Sequence, residues 1–403
     1  MKPSPARELF TWIHRWCGLV AMGFLVIAAV TGCLLCFVGP LDRALNRDLF
    51  VRAGAGPRLD PLATVDAYIG AHRQVQVRDF PLNVGAADTV ELRVSSAPGA
   101  PPLGYDHVYL DRPDGHVAGT RLVAPGWGRR QLVEGIAQLH YTLLAGTWGR
   151  WIMGLAALGW FVGNLVGVYL TWPARPPWWK QWKRTWRFSF ASSLPRLLLD
   201  LHRASGLWLL IGVVVLSATS VCLNFYSEAY EPVVTRLSPL HWRLFDADPP
   251  YPRGARPSLR FADAVRLAEA KAAHDGNPWR PATALYRPDF NLYGVTLSDD
   301  GTLNYRRLGP VYYWFDARDG ALRNVVDPYS DSAGLALIRA LFPIHTGEVG
   351  GWPTVALVFV LGLATIGQAG TGFYIWLKKR KSRLAARAAK ARGARSGRTA
   401  GAT

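Results

Sequence analysis

Four stretches, residues 19–38, 151–172, 207–225 and 352–377, contain no Asp, Glu, Lys or Arg. A helix rises 1.5 Å per residue, so about 20 apolar residues cross the roughly 30 Å hydrocarbon layer of a bilayer. Each stretch meets that length, and the Gly, Thr, Ser and Asn within them suit helices that pack closely. The expected fold is an all-α four-helix transmembrane bundle with two exported α+β loop domains. The segments are 1–38 (terminus and first span), 39–139 (first exported domain), 140–172 (second span), 173–200 (basic loop), 201–226 (third span), 227–344 (second exported domain), 345–377 (fourth span) and 378–403 (disordered basic tail).

Charge orients this arrangement. The net charge of +18 would suit a nucleic-acid partner if it were spread over a folded surface, but it is not. Ten Lys/Arg and no acid follow residue 377, six Lys/Arg face one Asp in 173–200, and Lys2, Arg7 and Arg15 face Glu8 near the start. The long loops are balanced, with eleven bases and eleven acids in 39–139 and fourteen against fifteen in 227–350. The excess sits on one side of a four-span topology, which places both termini and the middle connection in the cytoplasm. The tail reads as a lipid-facing anchor, and no nucleic-acid role follows.

Cys17, Cys33, Cys36 and Cys222 lie in or beside apolar stretches, so no disulfide framework is implied in the loops. Cys33 and Cys36 read as small packing residues rather than a redox pair. Val30-Thr31-Gly32-Cys33 imitates a lipoprotein cleavage box, but a similar span later in the chain cannot be a signal.

The chain repeats its plan. His14-Arg15-x-x-Gly18-Leu19 opens the first span and His202-Arg203-x-x-Gly206-Leu207 the third; Leu139-His140 precedes the second and Ile344-His345 the fourth. Each half is helix, loop, helix in the same orientation, a parallel internal duplication. In the loops, residues 108–117 read as strands around a Pro-Asp-Gly turn, 259–273 as an amphipathic helix, and 292–297 and 311–315 as strands before a turn at Gly320. Residues 54–61 and 247–257 read as connectors.

Depth sorts the histidines. His14 and His202 begin spans that start in the cytoplasm; His140 and His345 precede spans that start outside. A 20-residue helix is about 30 Å long, so only His14 with His202 and His140 with His345 can meet. Two facing neutral imidazoles in an apolar bundle are the donor set of a bis-His haem. Arg15, Arg203 and Arg150 are placed to receive propionates, and only Glu348 offers a carboxylate near either pair. His72, His107, His116, His241 and His274 are scattered through the loops and read as surface or structural.

These openings, the Leu/Ile-His pairs, the Thr-Trp and Tyr-x-Trp exits at Trp172 and Trp376, and the Asp-x-x-x-Gly turns together resemble the PepSY-associated transmembrane proteins. The resemblance spans residues 11–377. It implies PepSY-like exported domains, two haem b groups on His14, His202, His140 and His345, and ferric-siderophore or other Fe(III)-chelate reduction. Thr219-Ser220 departs from the Thr-Gly found at Thr31-Gly32 and Thr371-Gly372. No nicotinamide or flavin motif is present, so a cytoplasmic reductase or a quinol would supply electrons. The aromatic run 312–315 either lines the acceptor site or packs as a strand. Two rival readings remain beside this one. One is a haem-free membrane protein for siderophore or peptide binding, transport or assembly; the other is a b-type cytochrome with a non-iron acceptor.

Overall fold

The computed structural model describes residues 4–53, 56–57, 59–240 and 257–399. Its helices and strands run α1 (Pro5–Leu35), α2 (Val38–Leu45), α3 (Arg47–Phe50), α4 (Pro61–Ala71), β1 (Val75–Pro81), β2 (Val90–Ser96), β3 (His107–Leu110), β4 (Val117–Arg121), α5 (Leu132–Thr142) and α6 (Gly146–Thr171). There follow α7 (Trp178–Thr185), α8 (Leu194–Trp208), α9 (Leu210–Asn224), α10 (Glu231–Leu237) and α11 (Phe261–His274). The chain ends with β5 (Arg280–Arg287), β6 (Leu292–Ser298), β7 (Val311–Asp316), β8 (Leu322–Val326), α12 (Ala333–Thr346) and α13 (Trp352–Thr399). Most of the connector at 247–257 and His241 lie outside the described residues.

Two compact units emerge. The helical one comprises Met1–Cys33, Leu139–Asn224 and Leu357–Thr403; the other comprises Leu34–Gln138 and Phe225–Ala356.

In the helical unit α1, α6 and α13 are each long and apolar enough to span a membrane. The third stretch is not a straight span as expected: α8 and α9 meet at a 72° bend. Ser205 returns its hydroxyl to the Leu201 carbonyl at 2.7 Å and is followed by Gly206, a Ser/Gly pair of the kind that opens a sharp kink. Small residues set the helix contacts. A Cβ on Gly212 would strike Leu361, and one on Gly362 would strike the Cys33 sulfur, which lies 3.6 Å from the Phe359 carbonyl oxygen. That contact gives Cys33 a packing role.

The tail also differs from expectation. α13 continues as helix to Thr399, because its Ala, Lys, Arg and Leu are among the best helix formers.

The second unit corrects the expectation of two separate exported domains. Both loops contribute to a single antiparallel sheet of eight strands in the order β4-β3-β2-β1-β5-β6-β7-β8. The seam pairs Asp79 with Leu285, Phe80 with Ala284 and Pro81 with Thr283. Each loop supplies a helix (α4 or α11) followed by a four-strand meander. The Asp-x-x-x-Gly turns close the last hairpin of each meander, at Gly115 (φ 80°) and Gly320 (φ 75°), a backbone region where glycine carries no Cβ penalty.

α4 and α11 supply Val65, Tyr68, Phe261, Val265 and Ala268 to a core with Val77, Leu92, Tyr293, Val295, Tyr313 and Phe315. Trp314 joins a second cluster with Leu285, Leu292, Leu335 and Leu240 on the other side of β7. Side chains alternate across a strand, so the run 312–315 packs both faces of the sheet. Trp314 is 3% exposed, as packing within a strand requires.

Candidate functional site

α1 carries His14 about two turns inside its start, where the ring turns toward α6. The Nδ1 atom lies 2.9 Å from the Gly163 carbonyl oxygen. A Cβ on Gly167, one turn further along α6, would stand 3.2 Å from His14 Cε1. On α8, His202 Nδ1 lies 3.0 Å from Thr371 Oγ1, and a Cβ on Gly372 would stand 3.2 Å from its Cε1. On α5, His140 Nδ1 lies 2.9 Å from Thr31 Oγ1, and a Cβ on Gly32 would stand 3.1 Å from its Cε1. Three imidazoles therefore have the same surroundings: a glycine against the ring edge and an oxygen on Nδ1.

Those oxygens favour one tautomer. A carbonyl only accepts, so His14 donates from Nδ1 to Gly163. Thr371 spends its hydroxyl hydrogen on the Gly367 carbonyl at 2.8 Å, and Thr31 spends its own on Ile27 at 2.6 Å. Each threonine oxygen can then only accept from its histidine. All three rings carry the proton on Nδ1 and keep an Nε2 lone pair for a metal, the pairing found behind most metal-bound histidines.

His14 and His202 meet. Their ring centroids are 6.3 Å apart, with planes at 73°. A metal–imidazole bond of about 2.0 Å plus about 1.1 Å from nitrogen to ring centre puts two opposed axial rings roughly 6.2 Å apart. The spacing suits two axial ligands on one ion. No group of three or more His, Cys, Asp or Glu gathers to hold a metal among the described residues, and His14 and His202 stand together as a pair of imidazoles. Haem fits that set and the apolar surroundings.

His140 lies at the other end of α1. Its partner Thr31 is seventeen residues beyond His14, about 26 Å along the helix axis. His140 and His345 do not begin the spanning helices, as the sequence suggests. His140 sits near the end of α5, separated from α6 by Leu143, Leu144 and Ala145, the two leucines with positive φ. His345 sits near the end of α12, which Gly347 terminates in the left-handed region (φ 84°). His345 belongs to the sheet-containing unit.

The arginines are less uniform. Arg15 holds its guanidinium 5.4 Å from the Trp16 ring centroid, and its Nε is buried without a hydrogen-bond partner among the described residues. Arg203 lies within electrostatic reach of Asp200, Arg196 and Arg7. Arg150 donates to the Asn224 carbonyl at the end of α9 and lies over Trp151. Arg7, which the sequence reading passed over, ties α1 to the end of α6 through the carbonyls of Trp172 (3.0 Å) and Leu170 (2.8 Å). The threonines and glycines behind the imidazoles were also missed as functional. Their signal was the repeated Thr-Gly at Thr31-Gly32 and Thr371-Gly372. Thr219, in the departing Thr-Ser pair, directs its hydroxyl to the carbonyl four residues back, as Thr31 and Thr371 do.

A family model described as PepSY-associated TM region matches residues 11–379. No curated protein matches the chain.

Proposed function

The chain belongs to the PepSY-associated transmembrane family, and from that premise we propose that it is a di-haem b electron carrier of the bacterial inner membrane that reduces ferric siderophores or other Fe(III) chelates in the periplasm. The observation that carries this reading is the 6.3 Å His14–His202 pair, both rings fixed in the tautomer that leaves Nε2 free. His14 and His202 would hold one haem. His140 and His345 would hold the second, a pairing that rests on the duplicated sequence plan. Haem b with two imidazole ligands supplies reversible one-electron exchange.

The chain's own residues do the rest. Gly163, Thr371 and Thr31 accept the Nδ1 protons, which sets ring orientation and raises imidazole basicity. Gly167, Gly372 and Gly32 let the rings lie against helix backbone. Arg15 and Arg203 are the cations nearest in sequence to the first pair and would receive propionates, and Arg150 would serve the second. The about 26 Å between the His14 and Thr31 positions along α1 approaches the thickness of the hydrocarbon layer, the separation that transmembrane transfer requires. A quinol or cytoplasmic reductase would deliver electrons on the side of the basic tail. Loss of Fe(III) affinity on reduction then releases iron, because hard oxygen ligands hold Fe(II) less tightly, and no acid–base residue is needed.

The test is the dithionite-reduced spectrum and haem content of the purified protein, followed by stopped-flow reoxidation with a panel of ferric chelates. Bis-His bands with two haems per chain and reoxidation by those chelates support the proposal. A colourless protein that binds no haem ends it.

A further inference from the structure

We propose that the segment from Trp172 to Arg187 is a docking site for anionic phospholipid headgroups in the leaflet at the Trp172 end of α6. The inference is independent of any bound cofactor. At 100° per residue, Trp178, Trp179, Trp182 and the following Trp186 fall in a stripe about 100° wide on α7, and Lys180, Lys183 and Arg184 fall in a second stripe of the same width, with Arg187 just beyond the helix. The aromatic stripe is assembled in space. Trp172 lies 5.4 Å from Trp179 and 5.0 Å from Trp182, and Trp182 lies 5.3 Å from Trp186, centroid to centroid. Trp182 Nε1 donates to Thr171 Oγ1 at 3.1 Å, which fastens α7 to the last turn of a membrane-length helix.

That attachment leaves apolar area uncovered within the unit. Trp178 is 49% and Trp179 64% exposed. The four cations are exposed, and none has a carboxylate partner among the described residues. The chain has no acid from residue 173 to 199, and Asp200 is engaged by Arg196 at 2.6 Å. A short helix with indoles on one face and cations on the next, tied to the end of a span, has the composition of an in-plane interfacial helix. Charge complementarity selects anionic over zwitterionic lipid, and each Lys or Arg held near an anionic surface favours binding by about fivefold. Exposed indoles beside a span end favour lipid over an acidic soluble protein, because tryptophan settles at headgroup depth.

The experiment is native mass spectrometry of the full-length protein released from micelles containing equal phosphatidylglycerol and phosphatidylcholine. The wild type retains phosphatidylglycerol preferentially, and the preference fades as salt is raised. The variant Lys180→Gln/Lys183→Gln/Arg184→Gln/Arg187→Gln loses at least about tenfold of that preference. Neutralising four tail cations instead (Lys378→Gln/Lys379→Gln/Lys381→Gln/Arg383→Gln) costs clearly less of it. Trp178→Ala/Trp179→Ala weakens retention of both lipids without removing the charge preference, which keeps the test valid if the charge variant fails to fold. Equal retention of the two lipids by the wild type, equal loss in the tail variant, or displacement of the lipid by excess inorganic phosphate would overturn the proposal. So would capture of an acidic soluble protein with no response to lipid.

Discussion

The imidazoles of His14 and His202 stand with centroids 6.3 Å apart and planes 73° from parallel, held from behind by α6 and α13 respectively. The ring orientation is set by those two helices rather than by the histidines' own helices. Steeply crossed axial planes give a low-spin ferric centre a strongly anisotropic magnetic spectrum, so this pair's EPR signal is expected at a large principal g value. A rhombic signal typical of parallel rings would contradict the geometry.

Removing one imidazole should empty one site. His202→Ala is expected to lose one of two haems, and His345→Ala the other, each leaving about one haem per chain by pyridine haemochromogen assay. If the two variants abolish the same redox transition, the pairing is wrong.

Thr371→Val removes the acceptor behind His202 while keeping its shape. The ring becomes a poorer donor to Fe(III), so the midpoint potential of that haem should rise. A hydrogen bond worth about 1 kcal/mol corresponds to roughly 40 mV for one electron. Redox titration reads the shift. A fall in potential would mean that Nδ1 is not the protonated nitrogen.

Gly372→Ala separates helix stability from ring placement. Alanine favours the helix by up to about 1 kcal/mol over glycine, but its Cβ would press the His202 Cε1 at 3.2 Å. The expected variant melts no lower than the wild type, yet holds haem more weakly or with an altered EPR signal. Unchanged haem affinity and an unchanged signal would show that the ring has room to spare.

Asp316 closes the β7 end of the sheet. Its carboxylate is fully buried and accepts from Arg323 at 2.6 Å, and the Arg318 amide donates to it at 3.0 Å. Asp316→Ala leaves these donors without their acceptor, a loss of about 2–3 kcal/mol that is moderated because Arg323 can turn to water. Thermal denaturation measures it, and a change under about 0.5 kcal/mol, the size of an ordinary surface substitution, would refute the assignment.

Glu348 gives a pH dependence. Burial pushes its carboxyl above the ordinary range, and its Oε2 has no partner among the described residues. A raised acid pKa means the folded state holds the proton more tightly. Stability is therefore greatest below the unfolded value near 4.3 and declines as pH rises toward the folded value. Glu348→Gln should flatten that slope and leave the protein more stable at neutral pH by no more than about 1 kcal/mol. Parallel melting curves at acidic and neutral pH show whether the gap between wild type and variant widens with pH.

Properties that add up along the chain were legible in the sequence. Apolar length announced the membrane-length helices, and the His-Arg-x-x-Gly-Leu openings with the Leu/Ile-His pairs marked the family. Local periodicity along α1 also tells how far apart His14 and Thr31 lie. Whatever depended on residues distant in sequence was decided only in three dimensions. The proton on His14 is assigned by a carbonyl 149 positions away, and that on His202 by a hydroxyl 169 positions away. The two loops, whose pairing joins Asp79 to Leu285 some 206 positions away, complete one sheet because the edges of β1 and β5 would otherwise leave backbone hydrogen bonds unpaired. The 72° break between α8 and α9 is equally invisible in a hydropathy profile, which records how apolar a stretch is but not the direction in which it runs.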